Sequence, residues 1–230
     1  MEPSEHNGRN PTPVPYVFPR WANRVPLALG LVGAFKAAAI VLVLWYWGSP
    51  QFVNVGYAPV QPIQYSHKLH AGDYGTDCRY CHNTVEISPV AAVPPAQTCQ
   101  NCHAVVKLDS PLLEPLRQAM ATGKPIEWVR AHKVPEFAYF DHSRHLVKGV
   151  GCSECHGRID QMEVVRVEQP LSMAWCLDCH RDPAPNLRPK DQITNMAWEP
   201  PPGKTRREVG LELMQAYQVK APTDCSGCHR

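Results

Sequence analysis

What the chain lacks narrows its chemistry before any motif is read. It has almost no net charge, +2 over 230 residues, with 23 Lys and Arg against 21 Asp and Glu. A nucleic-acid-binding footprint is therefore missing. No odd cysteine is left over: all ten fall into pairs, so there is no spare thiol for a nucleophile or a separate disulfide. Proline is abundant, and 24 such residues argue against long helices or wide sheets. Long hydrophobic runs are limited to one, Val25 to Trp47, which holds part of the 44% apolar content.

What is there is a repeated thiol pattern. The pairs are Cys78/Cys81, Cys99/Cys102, Cys152/Cys155, Cys176/Cys179 and Cys225/Cys228, followed at once by His82, His103, His156, His180 and His229. Cys-x-x-Cys-His is the attachment signature of a c-type haem: the thiols add across the vinyl groups and the His sits beneath the iron as fifth ligand. Zinc or disulfides would explain one or two such pairs. Five pairs with the same trailing His argue for five covalently attached haem c groups. At roughly two propionates per haem, the assembled molecule would be acidic.

Along the chain, residues 1–24 form a polar, proline-rich segment with Arg9, Arg20 and Arg24 against Glu2 and Glu5. Residues 25–47 are apolar but for Lys36, and at about 1.5 Å per residue they suffice to cross a bilayer core of roughly 30 Å. Trp21 before the run and Trp45, Tyr46 and Trp47 at its end match interfacial aromatic belts. No signal-peptidase-type site follows Trp47, which favours an uncleaved anchor. The first charge beyond it is Lys68, so the positive-inside rule places the N-terminus in the cytoplasm and the haem region in the periplasm of a bacterial inner membrane. Lys36 faces either a carboxylate on a neighbouring subunit or, snorkelling, nothing of consequence. Gly30, Ala34 and Ala38 repeat as a small-residue stripe beside it.

Residues 48–64, with Gly48, Pro50, Gly56, Pro59 and Pro62, read as an irregular connector. The remainder, 65–230, holds an internal duplication. Tyr65-x-His67-x-x-His70 precedes two haem motifs in a first cassette, 65–103, and Phe140-x-His142-x-x-His145 precedes two more in a second, 140–180. Between them Pro115 opens a short helix that Gly123 and Pro125 stop. Residues 181–204 are proline-rich and expected to be irregular. Thr205-x-x-Glu208 is a capping box, and Val209, Leu213, Ala216 and Tyr217 share one face of a helix over about 205–219, expected to lie on a haem. It delivers the chain to the fifth motif, 225–229. With so few residues per porphyrin, the predicted fold is a mostly irregular and α multihaem cytochrome c, haem-packed, with short helices and little sheet, preceded by one transmembrane helix.

The second axial ligands follow by accounting. Of the six remaining His, His6 is on the cytoplasmic side, which leaves His67, His70, His142, His145 and His132 for five irons. Two His three residues apart are too close to face each other across one haem, so each pair serves two haems. His132 has no counterpart in the first cassette, and Met162 or Met173 is the alternative as fifth sixth-position ligand; Met opposite His would raise that haem's potential.

The paired His-x-x-His ahead of Cys-x-x-Cys-His resembles multihaem cytochromes of the c3 and c7 type over about residues 65–180. The whole layout, with Trp128 to His145 and Pro-Leu-Ser-Met-Ala-Trp-Cys176-Leu-Asp-Cys-His, resembles the membrane-anchored pentahaem cytochrome c subunit of alternative complex III. That resemblance implies a quinol:electron-acceptor oxidoreductase. Its partners would be an iron–sulfur protein, integral membrane subunits and a monohaem cytochrome c. This chain would be an electron-transfer subunit, not an enzyme by itself, passing electrons to a periplasmic acceptor. Two other readings compete: a self-sufficient anchored quinol dehydrogenase, and a multihaem reductase with one open iron.

Overall fold

The structure, a computed structural model, describes residues 17–49, 52 and 54–229. Expectations placed on His6, on Arg9 and on Pro50 fall outside them. The described residues form two compact units, one ending at Gly48 and the other beginning at Ser49.

In the first unit a 3-10 turn, Arg20–Arg24, leads into helix α1, Val25–Trp47. Pro26 stands in its first turn, where its missing N–H has no intrahelical partner to lose. The apolar residues run right round α1, so it has no polar face. Its 23 residues span about 35 Å, and with a mean hydropathy of 2.4 over its apolar window it is long and apolar enough to cross a membrane.

The second unit is short helices, turns and extended loops. Helices α2 Cys78–Cys81, α3 Ala96–His103, α4 Glu114–Thr122, α5 His142–Val147, α6 Cys152–His156, α7 Met173–Arg181, α8 Arg206–Ala216 and α9 Cys225–Cys228 alternate with 3-10 turns. Among the described residues the only β pairing is a single bridge, Val150 to Leu187. The start of these helices is written in short polar side chains that satisfy otherwise orphaned N–H groups. Asp77 accepts from the Arg79 amide, Asp141 from Ser143 and Arg144, Ser172 from Trp175, and Asp224 from Gly227. Helix α4 stops at Gly123 with φ +71°, a left-handed position at which glycine meets no steric cost.

The polypeptide's own core lies in the proline-rich stretch and what it touches. Ala184, Leu187, Arg188, Ile193, Met196 and Trp198 are buried there, and Val209 of α8 joins them. Helix α8 carries its capping box but ends at Ala216, because Gln218 turns to φ +48°. Its buried residues are Val209 and Gly210; Gly210 sits on the 3-10 turn Ala184–Asn186, so close that an added Cβ would lie 1.7 Å from the Ala184 carbonyl oxygen. Leu213 and Tyr217 are half-buried and Ala216 is exposed. The face expected to lie on a haem thus packs in part on protein.

The stretch after Gly48 is irregular but docked. Gly56 donates to Val167 and Val167 to Tyr57, at 2.8 and 3.0 Å, while the Gln61 amide both donates to and accepts from the Val129 backbone. Pro59 and Ile63 are buried.

Candidate haem centres

Each Cys-x-x-Cys forms one helical turn, on α2, α3, α6, α7 and α9, with the following His at or just past its end. None of the ten cysteines is closed into a disulfide. The turns succeed one another in space in an order that differs from the chain's. Cys81 lies within electrostatic reach of Cys99. Cys78 is within hydrogen-bond reach of Cys152, which joins the first motif to the third. Cys155 neighbours Cys179 and Cys176, and Cys176 neighbours Cys228. Read through these contacts, the motifs run second, first, third, fourth, fifth.

Burial is not uniform across the ten attachment thiols. Cys102 and Cys225 are exposed, whereas the other eight cysteines are half-buried. The reason is their place in the succession. Cys102 closes the motif on α3 and Cys225 opens the one on α9, the two end turns, each of which has a neighbouring motif on one side only.

The imidazoles are oriented by main-chain carbonyls. Nδ1 of His82 faces the Ala92 oxygen at 2.7 Å, that of His103 faces Val106 at 3.0 Å, His180 faces Pro222 at 2.6 Å, and His229 faces Phe137 at 2.9 Å. In the upstream pairs His70 faces Ser66 at 2.8 Å, His142 faces Pro89 at 2.8 Å, and His145 faces Asp141 at 2.7 Å. A carbonyl accepts only, so Nδ1 carries the proton in each and Nε2 keeps its lone pair, the tautomer a metal ligand needs. His67 and His156 have a buried Nδ1 with no partner, and His132 has a buried Nε2 with none.

Two ring pairs recur in both cassettes. His70 and His103 have centroids 6.3 Å apart, and His145 and His180 have theirs 6.0 Å apart. Two metal–nitrogen bonds of about 2 Å plus the half-width of each ring require roughly 6 Å, so each pair leaves the space of one iron between its rings. Ahead of each pair an aromatic side chain serves as platform. Tyr65 lies 4.8 Å from His67 at 86° and 4.4 Å from His70 at 24°; Phe140 lies 4.7 Å from His142 at 86° and 4.5 Å from His145 at 31°. The two cassettes reproduce each other, although the first pair sits on a π turn, Lys68–Asp73, and the second on α5.

The remaining His meet where the cassettes meet. His156 has His142 at 6.5 Å with ring planes 10° apart and His132 edge-on at 4.5 Å. His67 has its pKa lowered to about 4, by burial first and then by His82, His70 and His132. His156 is lowered to about 3 by burial and then by His132 and His142. Neutral, buried imidazoles are the donor set a covalent haem calls for, and the residues present fit it. Of the two methionines considered as ligands, Met162 is buried and Met173, at the start of α7, is 62% exposed.

Against known proteins, residues 138–230 match the family described as cytochrome c7 and related cytochrome c. This part of the chain is a cytochrome c7-like multihaem domain. Domains of that family hold c-type haem covalently and carry single electrons, which is what the five thiol turns are built to attach. The chain is also 30% identical over 128 residues, 55% of its length, to the menaquinone reductase multiheme cytochrome c subunit of Nitratidesulfovibrio vulgaris strain Hildenborough. That match covers 59% of the relative, so the chain spans about three fifths of the curated relative it matches.

The cytochrome's sequence displays its thiols and imidazoles openly. It gives no sign of the carbonyls of Pro89, Ala92 and Pro222 that aim three of those imidazoles, because a carbonyl has no side-chain signature. Nor does it mark Arg188, whose isolation from water depends on the whole proline-rich stretch.

Proposed function

We propose that the chain is the electron-relay subunit of a membrane quinone oxidoreductase, holding five haem c groups in one file. The observation that carries this reading is the unbroken succession of motif turns from Cys99 through Cys81, Cys78, Cys152, Cys155 and Cys176 to Cys228. His70 and His103 hold one iron, and His145 and His180 another. His67 and His142 supply the positions opposite His82 and His156, and the remaining sixth position falls to His132 or to Met162 or Met173. With every iron six-coordinate the subunit relays electrons and turns over no substrate itself. Helix α1 anchors it in a bacterial inner membrane, N-terminus in the cytoplasm and cytochrome domain in the periplasm.

The partners in this reading are an iron–sulfur protein, integral membrane subunits and a monohaem cytochrome c, with quinol oxidised elsewhere in the complex and electrons leaving to a periplasmic acceptor. A second direction is favoured by the similarity to a menaquinone reductase subunit: electrons entering from the periplasm and passing inward to menaquinone. Anaerobic mixing separates the readings. Menaquinol should reduce the haems within the intact membrane complex and fail to reduce the isolated chain in detergent. Rapid reduction of the isolated chain would show it to be a quinol dehydrogenase in its own right. Reduced complex that is oxidised by menaquinone, while oxidised complex is not reduced by menaquinol, sets the inward direction. Low-temperature EPR of the oxidised chain should contain low-spin ferric signals alone; a high-spin signal would mark an open iron and a reductase.

A further inference from the structure

Among the described residues Arg188 is the one buried charged side chain, 1% exposed, and every group it contacts leads to a single motif. Its guanidinium donates to Ser153 Oγ at 2.9 Å, to the Asn195 carbonyl at 2.9 Å and to the Glu154 carboxylate. Ser153 and Glu154 are the two residues between Cys152 and Cys155. The chain before the motif is shaped to admit the cation: a Cβ on Gly151 would fall 2.2 Å from the guanidinium carbon. Trp198 closes the far side, its ring 5.3 Å from that carbon, and Arg206 reaches both Trp198 and Glu154 from the surface. The backbone fixes the residue too, through Arg188 N–H to the Gly149 oxygen at 2.8 Å and Cys152 N–H to Ile193 at 3.1 Å.

No other attachment turn has this support. The residues between the thiols elsewhere are Arg79 and Tyr80, Gln100 and Asn101, Leu177 and Asp178, and Ser226 and Gly227. Of their charges, Arg79 and Asp178 are largely exposed and paired at the surface. A charge in water is screened and moves a neighbouring redox centre little; one held in a low-dielectric interior is felt in full. Reduction adds an electron to the haem, so a fixed cation favours the reduced form and a fixed anion opposes it.

We propose that Arg188 is a positioning residue that sets the reduction potential of the haem on Cys152, Cys155 and His156, raising it above what Glu154 alone would allow. This rests on the reading that the third motif carries a haem. That haem stands at the junction of the two cassettes, so its potential decides whether electrons pause or pass between the two halves of the file.

The test is a spectroelectrochemical titration of the purified holoprotein and of R188K, R188Q and E154Q, with haem content measured in each. R188Q should lower the midpoint of one of the five steps, E154Q should raise the midpoint of the same step, and R188K should keep it near the native value. Shifts of the same sign in R188Q and E154Q, or five unchanged midpoints at full haem content, would overturn the proposal and leave Arg188 a structural brace. Should R188Q fail to fold, E154Q decides alone: no upward shift, no electrostatic role. A native protein whose third motif lacks haem by peptide mass mapping would instead overturn the assignment on which the proposal stands.

Discussion

Asp77 shows how one carboxylate ties a haem-attachment turn to distant chain. It accepts from the Arg79 amide at 2.8 Å and guanidinium at 2.9 Å, and from Thr194 Oγ1, 117 residues away, at 3.0 Å. These bonds, Arg79's first, hold its carboxyl at about 2 against an ordinary 3.8. Because the folded value is the lower one, the stabilisation is complete above pH 3.8 and is lost as pH falls through 2. Asp77→Asn keeps the cap and removes the charge. It should cost of order 1 kcal/mol at pH 7 after allowing for solvent screening, and the difference from wild type should vanish near pH 2, read from thermal melts in a pH series. The cap itself was legible, an Asp directly before the first Cys. The Thr194 bond was not, since nothing in a local stretch says which distant hydroxyl it will meet.

At the scale of elements, α8 sets two rules against each other. Helix propensity alone says that Gly210→Ala should stabilise by about 1 kcal/mol. Contact with the Ala184 turn says the reverse, since backbone cannot yield as a side-chain tip does. The variant is expected to destabilise by about 2 kcal/mol net, measured by denaturant unfolding of the holoprotein; a gain would mean that α8 stands off the turn. The capping box Thr205/Glu208 made the start of this helix readable. Its end was not, because Leu213 and Tyr217 continue the apolar period beyond the point where Gln218 breaks the backbone. The proline-rich stretch hid more: local composition predicts irregular chain, which 182–204 largely is, yet it buries Ala184, Leu187, Arg188, Ile193, Met196 and Trp198. Irregularity and burial are separate properties, and only the first can be read from prolines.

For the whole molecule, the duplication was visible as repeated spacing, and the structure repeats it down to the aromatic platforms. The order of motifs in space was not visible, and with it the exposure of Cys102, whose motif looks like any other in the chain. Spacing reports each copy's interior, whereas the joint between copies depends on bonds such as His142 to Pro89 and Thr194 to Asp77. The joint makes the motifs unequal. Removing the fifth attachment turn with Cys225→Ala/Cys228→Ala should lower the haem content by one and leave the melting temperature nearly unchanged. Cys152→Ala/Cys155→Ala takes away a group shared by both cassettes and should cost about 3 kcal/mol or more. Haem stoichiometry and thermal unfolding of both variants check this, and equal losses would contradict a central third motif.

The position of the buried protein core also bears on biogenesis. Leu187, Arg188, Ile193, Trp198 and Val209 follow the fourth motif, so a chain made from its N-terminus exposes four pairs of thiols before the part of the core around Arg188 exists. The first eight cysteines are thus presented on loose polypeptide, the state in which an enzyme can reach them. Once residues 184–209 emerge, they close behind the third and fourth motifs.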